Sequence, residues 1–326
     1  MQPGNTSEQT RGLPLPIIAI FAVPFLIALI AFIGFRFLGS NTIKNEVIVP
    51  DAPNVYAMAA LPGGGFVYGE RDTGRIFTAA APDGRPEVEP LTQIEVSSGE
   101  DAGLLGLAVD RQGETFASYI DKAGFLTLSA VEEGGPLREV WRGPVPVGGT
   151  PGGRIAFNER GDLIMGIGHL GRPELVDDVA TLNGKFVILD PAASSDQLPK
   201  VLSGGWHEPV AFTVTEAGEL WVVDNAPEDE SEVIARGDLA DGRERITGIR
   251  DRLVPTGLAS ADDETLVFCG AENGELGVFK IDARGIAYTL GRFPTLATDC
   301  QLGVVALSDG RLIYSTGSDI RIAKGP

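Results

Sequence analysis

A strand–turn–strand pattern returns six times between residues 46 and 326, and it restricts the fold more than any other feature of the sequence. The first strands of the units sit near Tyr56–Met58, Leu104–Val109, Arg154–Phe157, Val210–Val214, Thr256–Ala259 and Leu302–Ala306. Each is followed by a Gly- or Asp-bearing turn, such as Asp110-Arg111-Gln112-Gly113, Glu159-Arg160-Gly161-Asp162 or Ser308-Asp309-Gly310-Arg311. Second strands then run over Phe66–Tyr68, Thr115–Ile120, Leu163–Gly166, Leu220–Val223, Thr265–Cys269 and Leu312–Ser315. Six units over this span give a period of about 47 residues, in the range of four-stranded β-propeller blades. The alternating, turn-rich pattern excludes helical solenoids. The chain's 43 Gly and 22 Pro suit many tight turns and few long helices. Glu46–Val49 is a lone strand ahead of the first unit, placed to complete the last blade and close the ring. The expected fold is all-β, a six-bladed propeller over residues 46–326.

A different element is expected ahead of it. Pro16–Phe35 carries twenty residues without a charge. As a helix this spans roughly 30 Å, the hydrocarbon thickness of a bilayer. A cleaved signal peptide is the competing reading, but no small-x-small cleavage site follows; the exit reads Arg36-Phe37-Leu38-Gly39-Ser40. The expected organisation is a short tail over 1–12, one transmembrane helix over 13–38, a linker over 39–45 and the propeller. Arg11 on one side and Arg36 and Lys44 on the other give the positive-inside rule little to act on. The expected location is the inner (cytoplasmic) membrane, with the propeller in the periplasm.

The formal charge of −19 lies entirely on the propeller. Residues 1–45 hold Glu8 against Arg11, Arg36 and Lys44, a net of +2, which leaves −21 on the rest. So acidic a domain repels nucleic acid and anionic headgroups, and excludes both as ligands. A basic electron carrier such as a cytochrome is a partner of the right charge; a merely solvated acidic surface is the plainer alternative.

Three local motifs need a reading. Gly166-Ile167-Gly168-His169-Leu170-Gly171 satisfies G-x-G-x-x-G, with Asp190 ending a later strand. The flanking chain is antiparallel repeat, with barely ten residues for a helix, so a dinucleotide site is rejected. The two histidines, His169 and His207, stand on loops of neighbouring blades, where a metal pair and plain loop polarity are the alternatives. The two cysteines, Cys269 ending a second strand and Cys300 beginning the next first strand, stand on adjacent blades. A disulfide, suited to an oxidising compartment, and two buried thiols are both open.

In chain order, Gly103-Leu104-Leu105-Gly106-Leu107-Ala108, Gly152-Gly153-Arg154-Ile155-Ala156-Phe157, Asp177-Asp178-Val179 with Leu182-Asn183-Gly184-Lys185, Glu219-Leu220-Trp221-Val222 and Asp309-Gly310-Arg311-Leu312-Ile313-Tyr314 resemble the soluble aldose sugar dehydrogenase, or glucose/sorbosone dehydrogenase, family. The resemblance implies a six-bladed propeller that uses pyrroloquinoline quinone (PQQ) and calcium. It also implies a base, a histidine just before the Gly-Gly-Arg strand, and here that position is Thr150. A threonine hydroxyl is no base near neutral pH. The implied cofactor-clamping positions fall on His207 and Glu208 before Pro209, near Asn273 in the fifth blade, and near Cys300 and Leu302 in the last. Asp101 is a further pocket position. A tricarboxylate needs cations, and most of those implied are replaced. The calcium-associated loop survives loosely in Pro227–Glu232, with Glu232 the best-matched carboxylate.

Loss of the base together with the clamps points to a fold that has outlived its reaction, with no cofactor expected. The expected function is a membrane-anchored, non-enzymatic propeller serving as an accessory or scaffolding subunit of a larger membrane complex, respiratory or photosynthetic. The alternatives are a PQQ- and calcium-dependent aldose dehydrogenase with a rearranged site, and a binding module for a sugar or cell-wall fragment.

Overall fold

The structure, a computed structural model, describes residues 45–80, 87–99, 101–132, 135–225, 233–237, 244–248, 254–281 and 295–326. The expected membrane span lies outside them, and no helix among the described residues is long and apolar enough to cross a membrane. The described chain forms six antiparallel sheets. Blade one holds β2 (Val55–Ala60), β3 (Phe66–Glu70), β4 (Arg75–Ala80) and β5 (Glu87–Gln93). Blade two holds β6 (Leu104–Val109), β7 (Thr115–Ile120), β8 (Leu126–Val131) and β9 (Arg138–Arg142). Blade three is β10 (Gly152–Phe157), β11 (Leu163–Ile167), β12 (Lys185–Leu189) and β13 (Lys200–Gly204), and blade four is β14 (Pro209–Val214), β15 (Leu220–Asp224), β16 (Val233–Arg236) and β17 (Glu244–Gly248). Blade five shows β18 (Pro255–Asp262), β19 (Thr265–Gly270) and β20 (Leu276–Lys280) among the described residues. Blade six joins β21 (Val304–Ala306), β22 (Arg311–Ser315) and β23 (Ile320–Lys324) to β1 (Glu46–Val49). The ring closes as expected: Glu46 pairs with Ile322 and Val49 with Ile320.

Burial explains why the second strands read so plainly. β3, β7, β11, β15 and β19 are buried at every position, because sheets stacked face to face cover both sides of their middle strands. One apolar cluster fills each of the six interfaces between blades. That between blades six and one, for example, packs Ile48, Val49, Ile313 and Ile320 against Val55, Phe66 and Tyr68. The turns follow their residue types. Asp110 Oδ1 accepts from the Gln112 and Glu114 amides, and Asn158 Oδ1 from those of Arg160 and Asp162, while Gly113 and Gly161 take φ of 90° and 83°.

The channel end of the innermost strands decides where chemistry is possible. In blades one to five the ladder slips by one residue at the strand's start, leaving Tyr56, Leu105, the Gly153–Arg154 step, Val210 and Thr256 bulged. A bulge takes main-chain groups out of the ladder, and these must find other partners. Arg154 supplies them. Its Nε donates to Val210 O at 3.0 Å, one terminal nitrogen to Thr256 O at 3.1 Å and the other to Tyr56 O. One guanidinium thereby ties blade three to blades one, four and five across the channel.

The cysteines form a disulfide, with Cα atoms 5.2 Å apart. Cys300 precedes the first strand of blade six rather than beginning it, in the segment that enters from blade five. Its amide donates to Gly274 O at 2.7 Å, so the bond fixes that connector to the end of β19.

Two outcomes are expected. Titration of the denatured, unreduced protein finds no free thiol, and Cys269→Ala with Cys300→Ala lowers stability by about 3–4 kcal/mol, as loop-closure entropy dictates; calorimetry measures it. Arg154→Met strands three carbonyls and costs about 2–4 kcal/mol in urea denaturation, whereas Arg154→Lys recovers only part, because an ammonium cannot fork between them.

Candidate functional site

The bulged ends of the inner strands frame a cavity of about 430 Å³ at one mouth of the channel. Its lining takes Tyr56, Leu105, Arg154, Val210 and Thr256 from the bulges, with Arg71, Asp101 and Thr150 from loops. Of the positions expected from sequence, Asp101 and Thr150 reach this cavity, and His207, Glu208, Asn273, Cys300 and Leu302 do not line it.

Those five are occupied elsewhere. The amides of His207 and Glu208 both donate to Asp224 Oδ1, at 3.1 and 2.7 Å, so the buried Asp224 carboxylate fixes this connector. Asn273 is exposed in the β19–β20 turn, bonded to Glu275 through both side chain and main chain. Cys300 is fully buried in the disulfide, and Leu302 is buried in blade six. Glu232 lies outside the described residues, with the whole of 226–232. No group of three or more His, Cys, Asp or Glu able to hold a metal occurs among the described residues.

The histidines meet through main chain, not as ligands. The His169 amide donates to His207 O at 3.0 Å. His169 Nδ1 accepts from the Gly171 amide at 3.0 Å, which leaves Nε2 to carry the proton and face Glu208 Oε1 at 3.4 Å. His207 Nδ1 is buried with no hydrogen-bond partner among the described residues. The glycines of the G-x-G-x-x-G segment serve this packing. A Cβ on Gly168 would lie 2.2 Å from Thr150 O, and Gly171 takes φ of 80° against the Gly148 main chain. They press the His169 loop onto the Thr150 loop. Lys185 is likewise structural: its buried ammonium donates to Val176 O and Asn183 O, and burial pushes it below the ordinary lysine range.

Arg154 dominates the electrostatics of the cavity. Burial lowers its guanidinium to about 10, and the nearby Arg71 acts in the same direction. Both arginines stack on one ring, their Cζ atoms 5.6 and 5.0 Å from the Tyr56 centroid, and Arg71 Nε donates to Ala102 O at 3.0 Å. In the sequence Arg154 reads as part of a strand motif, and Tyr56, Arg71 and Thr256 do not stand out as site residues. One signal was available: Arg154 stands at the strand start where the other repeats carry Tyr56, Leu105, Val210 and Thr256. Measured against a planar tricarboxylate, the set does not fit. The five implied clamp positions offer the cavity no cation, Thr150 offers no base, and Arg154 has three of its donors committed to main chain.

The sequence model of the Glucose / Sorbosone dehydrogenase family matches residues 51–238. No curated protein matches the chain. Among solved structures, the fold is similar to the PQQ-bound aldose sugar dehydrogenase of Streptomyces coelicolor, with a TM-score of 0.72 at 20% identity over 86% of this chain and 96% of that one. It is similar also to the apo form of the soluble aldose sugar dehydrogenase of Escherichia coli, with a TM-score of 0.71 at 18% identity, over 86% and 98%. A putative oxidoreductase (glucose dehydrogenase) of Thermus thermophilus gives 0.69 at 22%, over 86% and 99%. At these identities the likeness speaks for the six-bladed fold alone. The family match spans more than half of the chain, across four of the five bulged inner strands that frame the cavity, and the chain belongs to the glucose/sorbosone dehydrogenase family.

Proposed function

We propose that this chain is a membrane-anchored, non-catalytic member of its family, held by residues 13–38 in the inner membrane with its propeller in the periplasm, where it serves as an accessory subunit of a larger membrane complex. One observation carries the loss of catalysis: Thr150 borders the cavity where the family resemblance implies the base. The disulfide supports an oxidising compartment, and the uncharged run Pro16–Phe35 supports the anchor. The acidic propeller suits a basic partner, whose approach its field would accelerate.

Family membership itself favours a second reading, a PQQ- and calcium-dependent aldose dehydrogenase with a rearranged site. The two differ in a simple assay. On the first reading, protein supplied with PQQ and calcium neither reduces dye with any aldose nor binds the quinone at micromolar concentration; aldose-dependent reduction would sink it. Purification from membranes in mild detergent tests the accessory role. Stoichiometric co-purification of other membrane proteins is expected, and migration as a lone monomer in several mild detergents would count against it.

A further inference from the structure

The floor of the cavity holds Arg154, a cation that no anion among the described residues pairs. Arg154 is partly buried, and no carboxylate among the described residues bonds to it; its partners are the carbonyls of Tyr56, Val210 and Thr256 and the Tyr56 ring. A guanidinium has five N–H donors, and these three carbonyls leave two of them over. A second guanidinium, Arg71, stands on the same ring and lines the same cavity. A buried charge without an opposite charge is expensive, and a like charge beside it adds to the cost. The depressed pKa of Arg154, set mainly by burial, agrees with this geometry.

We propose that the channel-mouth cavity is a seat for one small hydroxylated monocarboxylate, its carboxylate received by the remaining donors of Arg154 at the floor and its hydroxyls by Thr150 and Asp101 in the walls. The occupant's chemistry follows from what lines the cavity. Arg154 presents planar, fixed donors matched to a carboxylate. Thr256 Oγ1 already donates to Gln301 O at 2.6 Å, so its oxygen is left as an acceptor toward the cavity. Asp101 accepts hydroxyl protons and repels a second carboxylate, and the net charge of −19 disfavours polyanions further. A volume of about 430 Å³ is far more than acetate fills and ample for a six-carbon hydroxy acid.

This deepens the non-catalytic reading of the same cavity, yet the two fail separately. Dye reduction with an aldose would overturn that reading and leave the seat standing; loss of carboxylate binding would do the reverse. The test is calorimetric titration of the full chain in detergent, at constant ionic strength, with sodium d-gluconate, sodium lactate, sodium citrate and neutral d-glucose. Gluconate is expected to bind with a dissociation constant below about 1 mM. Glucose is expected to bind at least ~10-fold more weakly, since it lacks a hydrogen-bonded charge worth about that factor or more, and citrate likewise, since Asp101 repels its further carboxylates. Arg154→Met is expected to abolish gluconate binding. If that variant does not fold, Arg154→Lys, which keeps the charge without the fork, is expected to weaken gluconate about tenfold. Equal binding of glucose and gluconate, no heat with gluconate at 20-fold the expected constant, or full affinity in the Arg154 variant that folds would each overturn the proposal.

Discussion

Six twisted sheets stacked face to face bury both of their faces only when the ring closes. Closure here rests on a four-residue strand, Glu46–Val49, paired with Ile320–Lys324 at the far end of the chain. Without it the first and last blades would each present an open apolar face, including Val55 and Phe66 on one side and Ile313 and Ile320 on the other. A sheet edge and two such faces in water are unfavourable together, so the two ends of the domain must fold as one unit. Every other feature, the bulged strand starts included, depends on inner strands held at fixed positions around the closed ring.

The parts that burial dictates could be read directly from residue order. Leu220–Val223 appears as an unbroken apolar run and Thr115–Ile120 as an uncharged one because neighbouring blades cover both faces of those strands, and Asp110 and Gly113 mark the turn before the latter through local hydrogen bonding and positive φ. Outer strands were harder. Lys200–Gly204 is half exposed and alternates weakly, so no periodic signal separates it from a loop. The cavity was harder still, for a geometric reason. A motif match puts residues in chain order along a blade but does not say which side chains turn into the channel, and a one-residue bulge changes that. Hence Asp101 and Thr150 fell on the cavity, while Cys300 and Leu302, also assigned to it, are absorbed into the packing of blades five and six.

The division between framework and chemistry runs through a short piece of chain. Gly152-Gly153-Arg154 is framework: the glycines permit the bulge, and the arginine takes up the carbonyls that bulges elsewhere set free. Thr150, two residues before it, is where the resemblance implies reactivity. The framework arginine serves the closed ring whatever stands at Thr150, so selection on the fold does not preserve the reaction. A fold-level likeness to sugar dehydrogenases is therefore compatible with an altered or lost activity.

Arg154 has one more consequence, seen along the axis of the ring. Beneath it lies a gap of only about 60 Å³, and beyond that the other mouth opens to about 310 Å³ lined largely by apolar residues such as Met58, Leu107, Phe157 and Val305. The guanidinium and its three carbonyls act as a bulkhead. The space at this level is the smallest of the three, so the hole through the centre is two recesses rather than one wide conduit. The propeller is a partition with a separate recess at each end, and each recess meets its surroundings on its own.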